Sequence, residues 1–149
     1  MERPKNPDQF LTGDEAEQVE AAIARAERRT SAEIKLIIAR YCWMGLEKKA
    51  AMLFKKHGLD QTEQRNCVLI LLVTTERKFL IYGDEGIDEK VGQTFWEDVR
   101  DVMGAAFRDD RFGDGLAEGV GLIGDKLAEY FPYDEADRNE ISDGVAYDE

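Results

Sequence analysis

Residues 67–82 read CVLILLVTTERKFLIY, and the fold follows from how this stretch is read. Cys67–Val73 is an uninterrupted run of Leu and β-branched residues, the pattern of a central strand covered on both faces. KFLIY, Lys78 to Tyr82, is a second strand. Only the four residues TTER separate the two. A parallel crossover needs about a dozen residues or more, so this connection is a hairpin and the pair is antiparallel.

Upstream, EIKLIIAR (Glu33 to Arg40) is another strand, broken by YCWMG. A helix with Leu46, Ala50, Leu53 and Phe54 on one face joins it to CVLILLV and stops at Gly58. A strand–helix–strand connection predicts a parallel pair with a right-handed crossover. Ahead of it, TGDE is a capping box with Thr12 as N-cap and Glu15 reaching back. The helix it opens buries Val19, Ala22, Ile23 and Ala26 and ends near Arg29. Met1 to Leu11 reads as an N-terminal arm.

Downstream, a third helix is expected from Asp88 to Phe107, burying Val91, Phe95, Val99, Val102, Met103 and Ala106, with Trp96 as a contact to the core. RDDRFGDG breaks it, with Asp114 expected to cap a fourth helix. That helix carries Leu116, Val120, Ile123, Leu127, Tyr130 and Phe131 and ends at Pro132. Residues 133–149 read as an acidic, disordered tail. The domain proper is then 12–132. Its fold class is α/β: a three-layer α/β/α sandwich in which about four helices cover a small mixed sheet of two parallel strands plus an antiparallel hairpin partner.

The chain has 149 residues and a formal net charge of -12. That balance excludes nucleic-acid binding driven by phosphate neutralisation. Residues 133–149 carry seven acids against one Arg, so half the excess sits on the tail. The two cysteines, Cys42 and Cys67, fit no zinc or redox spacing. The N-terminal MERPKNPDQF has no apolar signal core, and CVLILLV is far too short to span a membrane. A soluble, cytoplasmic protein is expected. No glycine-rich nucleotide loop occurs, and His57 is the single histidine. A helix-end packing role suits His57 better than catalysis. Cys67 is expected in the core.

The hairpin has a geometric consequence. The third strand runs backwards, so its carboxyl end at Gly83 and Asp84 meets the amino ends of the other two strands. That edge also holds Thr30, Ser31 and Glu33, and Thr62, Arg65 and Asn66. Asp84, Glu85, Asp88 and Glu33 offer hard oxygens suited to calcium or magnesium, with Gly83 and Gly86 letting carbonyls approach. Two other readings stay open. Asp84 pairs with Arg65 to pin loop to loop, with Asp88 an N-cap; or Arg65 and a helix N-terminus face an anion. At the opposite sheet edge Tyr41, Trp43 and Met44 either roof the core or form a patch for a protein partner.

Four segments, RTSAEIKLIIAR, GLDQTEQRNCVLILLV, ERKFLIYGDEGIDEKVGQTFWEDV and FGDGLAEGVGLIGDKLAEYFP, together resemble the TPM domain family, in particular its short soluble bacterial branch. The family takes its name from a thylakoid lumen phosphatase, a photosystem repair protein and a modulator of acetylcholine receptors. The resemblance implies the same sandwich. It implies binding of calcium or another divalent cation in some members, and acid phosphatase activity in a plant relative. Any metal role falls on Gly83, Asp84, Glu85 and Asp88 in YGDEGID. It further implies a place beside a membrane-anchored TPM relative or a LemA-type protein. The expected function is a non-enzymatic binding module with a divalent cation at the acidic edge. The alternatives are a metal-assisted phosphatase using Arg65 for charge stabilisation and a plain interaction domain.

Overall fold

The computed structural model describes residues 3–134 and 144–148. Its elements are α1 (Pro7–Phe10), α2 (Gly13–Glu27), β1 (Glu33–Ala39), α3 (Leu46–Lys56), β2 (Cys67–Val73), β3 (Lys78–Gly83), α4 (Glu85–Asp88), α5 (Gln93–Arg108), α6 (Phe112–Tyr130) and β4 (Ala146–Asp148). The sheet order is β3-β2-β1-β4. β1 and β2 are parallel with Glu33 opposite Cys67, and β2 and β3 are antiparallel with Val68 opposite Gly83.

Alternation along the strands sorts the core into two layers. Ile34, Leu36 and Ile38 of β1 and Val68, Ile70 and Leu72 of β2 face α2, α5 and α6. Ile37, Ala39, Cys67, Leu69, Leu71 and Val73 face α3, with Ala50, Leu53 and Phe54 packed on them. This is the expected sandwich, with three long helices on one side and one on the other. The capping box of α2 is formed: Glu15 N–H donates to Thr12 Oγ1 at 3.1 Å, and Thr12 N–H donates to Glu15 Oε1 at 3.0 Å. Gly58, at φ +70°, provides the left-handed turn that ends α3.

The structure corrects several expectations. The N-terminal arm is part of the domain from Pro7 onward. Proline starts a short helix whose Phe10 ring is buried edge-on against Phe112 at 4.8 Å. The third helix does not begin at Asp88. A separate turn, α4, is capped by Asp84, and an extended Gly92 interrupts before α5 starts at Gln93. Phe95 and Val102 are only partly buried, and Tyr130 is exposed because it lies off the apolar stripe of α6, whereas Trp96 packs against the core as expected. Asp114 does not cap α6; it accepts from Gln18 Nε2 at 2.9 Å and Arg111 Nε at 3.3 Å. The expected tail is structured at its end, where Ala146–Asp148 add a fourth strand parallel to β1. Disorder expected for residues 135–143 lies outside the described residues.

Candidate functional site

At the amino ends of β1 and β2, Arg65, Asp84 and Glu85 meet. Asp84 N–H donates to Cys67 O at 3.0 Å as β3 leaves the sheet, which sets the Asp84 side chain beside the loop before β2. There Arg65 forks onto it: Nε to Oδ2 at 2.7 Å and Nη2 to Oδ1 at 2.8 Å. Asp84 Oδ1 also accepts from Glu85 N–H at 2.8 Å, capping α4. Arg65 Nη1 reaches Glu85 Oε1 at 3.4 Å. The reading in which Asp84 pins loop to loop is therefore what the geometry shows, and Asp84 rather than Asp88 is the N-cap.

Two backbone features hold this clasp. Arg65 sits at φ 51°, a left-handed conformation that costs a side-chain-bearing residue about 1–2 kcal/mol. Its carbonyl accepts from Gly86 N–H at 3.0 Å. Gly86 is required there, because a Cβ would stand 2.4 Å from Gln64 O and 2.6 Å from Arg65 O. The loop closes further through Thr62 Oγ1, which accepts from Asn66 N–H at 3.2 Å, and Asn66 O, which accepts from Glu33 N–H at 3.2 Å. Asn66 is buried, and its Nδ2 has no hydrogen-bond partner among the described residues, an unmet donor that suits an acceptor oxygen.

Glu33 is buried at the first position of β1, opposite Cys67. Burial pushes the Cys67 thiol up, and the charges of Glu33, Glu27 and Asp84 add to that, so it is a protonated core thiol. Asp88 is held above the usual carboxylate range by burial and by the charge of Asp84. Gly83 lies against Ile87 and the Asp88 carboxylate. Thr30 is not part of the acidic cluster: its Oγ1 donates to Phe131 O at 2.5 Å and accepts from Ala32 N–H at 3.1 Å, tying β1 to the end of α6. Among the described residues, no group of three or more His, Cys, Asp and Glu side chains is gathered so as to hold a metal ion. His57 caps α3, and burial followed by Lys56 and Lys35 lowers its pKa.

The opposite edge departs from the roof reading. Trp43 is 86% exposed, Met44 46% and Tyr41 41%. The Tyr41 and Trp43 rings stack at 5.4 Å with 23° between planes. The Arg40 guanidinium lies 5.6 Å from the Tyr41 ring centroid.

A family model described as the TPM domain matches residues 5–126. The chain belongs to the TPM domain family. The NMR structure of the BA42 protein from the psychrophilic bacterium Bizionia argentinensis superposes with a TM-score of 0.89 at 30% identity, covering 97% of this chain and 99% of that one. The N-terminal domain of a protein from P. gingivalis matches at 0.67 and 21% identity, covering 81% of this chain and 78% of that one. The N-terminal domain of the cg2496 protein from Corynebacterium glutamicum matches at 0.62 and 11%, covering 93% and 80% respectively. These last two share the fold alone. No curated protein matches the chain. No helix among the described residues of this TPM domain is long and apolar enough to cross a membrane.

Sequence reasoning missed two contributors to this architecture. Lys35 is buried within β1, where its Nζ donates to Gly144 O at 2.6 Å. Arg3 clamps Glu15 with both terminal nitrogens, at 2.5 and 2.9 Å. A lysine inside an apolar strand was the available signal for the first. Nothing local signals the second.

Proposed function

We propose that this TPM domain is a non-enzymatic binding module that works through protein contacts at the Tyr41–Trp43–Met44 ledge. The observation that carries the reading is the exposure of Trp43, stacked on Tyr41 instead of folded into the core. Exposed aromatic anchors of this kind supply rigid apolar area at low entropic cost and concentrate binding energy. A membrane-anchored TPM relative or a LemA-type protein is the partner class that fits. A photo-crosslinking residue in place of Trp43 tests this in cells: a discrete adduct is expected there and none at exposed Gln61. Equal labelling at both positions would remove the reading.

The acidic edge supports a second role as a divalent-cation site, calcium or magnesium. Asp88 supports it, because its carboxyl stands next to Asp84 and gains from an added positive charge. A cation there recruits Asp88 and Glu85, and takes Asp84 only in exchange for Arg65. Titration with calcium or magnesium is expected to move the amide resonances of Glu85 to Glu89 and leave Tyr41 to Met44 in place, with Asp88→Asn weakening the response at least tenfold. Unmoved resonances at millimolar cation would dismiss the site. Phosphatase chemistry ranks below both roles, since Asp84 already occupies the guanidinium fork that would steady a phosphoryl group.

A further inference from the structure

Beside the turn that joins β2 to β3, a recess of about 290 Å³ opens between the edge strand β3 and the last turns of α5. Phe79 of β3, Gly104, Phe107 and Arg108 of α5, Phe112 at the start of α6 and Arg77 in the turn line it. Its inner wall is aromatic. Phe79 and Phe107 meet edge-on with centroids 4.9 Å apart, and Phe107 stacks on Phe112 at 4.6 Å. Phe107 and Phe112 are buried, whereas Phe79 packs on the core but is only partly covered. Gly104 keeps the α5 side open. A glycine inside a helix weakens it relative to alanine. Core packing does not require this one, because within 4 Å a Cβ there would meet only Arg108 Nη1, at 3.4 Å.

Two guanidinium groups complete the lining. That 3.4 Å distance shows the exposed Arg108 side chain folded back over Gly104, and it makes no hydrogen bond or ion pair among the described residues. Arg77 lies over the Phe112 ring, 5.6 Å from its centroid. Its Nη1 meets Asp110 Oδ1 at 3.6 Å, but Arg3 Nε holds the same oxygen at 3.0 Å. An arginine left without a carboxylate is unexpected in a chain of net charge -12.

We propose that this recess binds a small aryl carboxylate, with its ring against Phe79 and Phe107 and its carboxylate on Arg108, Arg77 standing beside it. An apolar recess with a few polar groups at its rim is the usual form of a small-molecule site, and such sites begin at about 300 Å³, enough for one ring. Aromatic walls favour an aromatic guest through edge-to-face contacts. The planar guanidinium fork matches a carboxylate with two parallel N–H donors. Charge without a ring leaves the aromatic wall wet, and a ring without charge leaves Arg108 unpaired.

Titration of isotope-labelled, full-length protein with three probes separates these contributions. 4-Methylbenzoate carries ring and charge, 4-methylbenzamide the ring alone, and acetate the charge alone. The benzoate is expected to move the amide resonances of Phe79 and of Gly104 to Arg108, with a Kd of about 1 mM or below. The benzamide is expected to bind at least tenfold more weakly, and acetate to give no saturable shift at these residues. Arg108→Gln is expected to weaken the benzoate at least tenfold. Gly104→Leu fills the recess from a helix position that favours leucine, so it is expected to abolish binding without lowering the melting temperature. No response to the benzoate at tens of millimolar overturns the proposal. Equal binding of benzamide and benzoate, the same shifts with acetate, or undiminished binding in Gly104→Leu overturns it as well. Should Gly104→Leu lose stability, Arg108→Gln decides alone: it removes only an exposed charge, and unchanged affinity there also overturns the assignment.

Discussion

Asp84 accepts three hydrogen bonds, two from the Arg65 fork and one from the N–H of Glu85, and so serves at once as a salt-bridge partner and a helix cap. The backbone that permits this is the contact between Gly86 and the carbonyls of Gln64 and Arg65. Gly86→Ala is expected to lower stability by about 1–3 kcal/mol, because the obstruction is backbone and cannot rotate away. Gly121→Ala is the control: the glycine is exposed in mid-helix with nothing near it, and alanine there is expected to stabilise by about 0.5–1 kcal/mol. Denaturant midpoints of the two variants check the contrast. Left-handed backbone recurs in the same chemical setting elsewhere. Arg77 at φ 52° and Asp110 at φ 61° form an ion pair, Nη1 to Oδ1 at 3.6 Å, so each of the three non-glycine residues of this conformation among the described residues takes part in an Arg–Asp pair.

Among the helices, Glu15 is the joint. Its carboxylate is shared by the capping box of α2, by Arg3 and by Gly113 N–H at 3.0 Å on the first turn of α6. Burial pushes its carboxyl up, but the bonds from Arg3 and from the Thr12 and Gly113 amides outweigh it. The net result is a pKa lowered from 4.5 to about 2. A carboxylate whose pKa falls on folding stabilises the native state above its unfolded value. That contribution is therefore intact above about pH 4.5 and is lost as the pH falls through about 2. Glu15→Gln is expected to lower the melting temperature at pH 6 and to flatten its fall between pH 4.5 and 2 relative to the wild type. Parallel slopes in the two proteins would show that Glu15 does not carry the acid response.

Across the whole molecule, protection follows the sheet order. β2 has a strand on either side and helices on both faces, with every residue buried, whereas β4 contributes only three residues at one edge. Amide exchange is expected to be slowest in Cys67–Val73, at the rate of global unfolding, and fastest among sheet amides at Arg40 and β4. The Tyr41–Trp43 ledge and the acidic clasp lie at opposite ends of this slab. Changes at one end are thus expected to leave the other's resonances in place.

Local pattern was enough for β1, β2, β3 and the four long helices and for their order, though not for α1, α4 or β4. A strand buried on both faces leaves an unbroken apolar run, a four-residue connection forbids a parallel crossover, and a capping box is written within four residues. The same hairpin reasoning brought Asp84 to Arg65, since strand direction alone decides which ends share an edge. Partner choice among the carboxylates was another matter. Asp84 and Asp88 are equally acidic in sequence, and only the three-dimensional path of the Arg65–Gly86 loop contact made one the clasp and the other its raised-pKa neighbour. Burial of Phe10 and the return of residues 146–148 to β1 likewise rest on contacts between segments distant along the chain. Periodicity reports what a residue's own element buries; it carries no information on what a remote segment brings to cover it, and that is settled only when the chain packs.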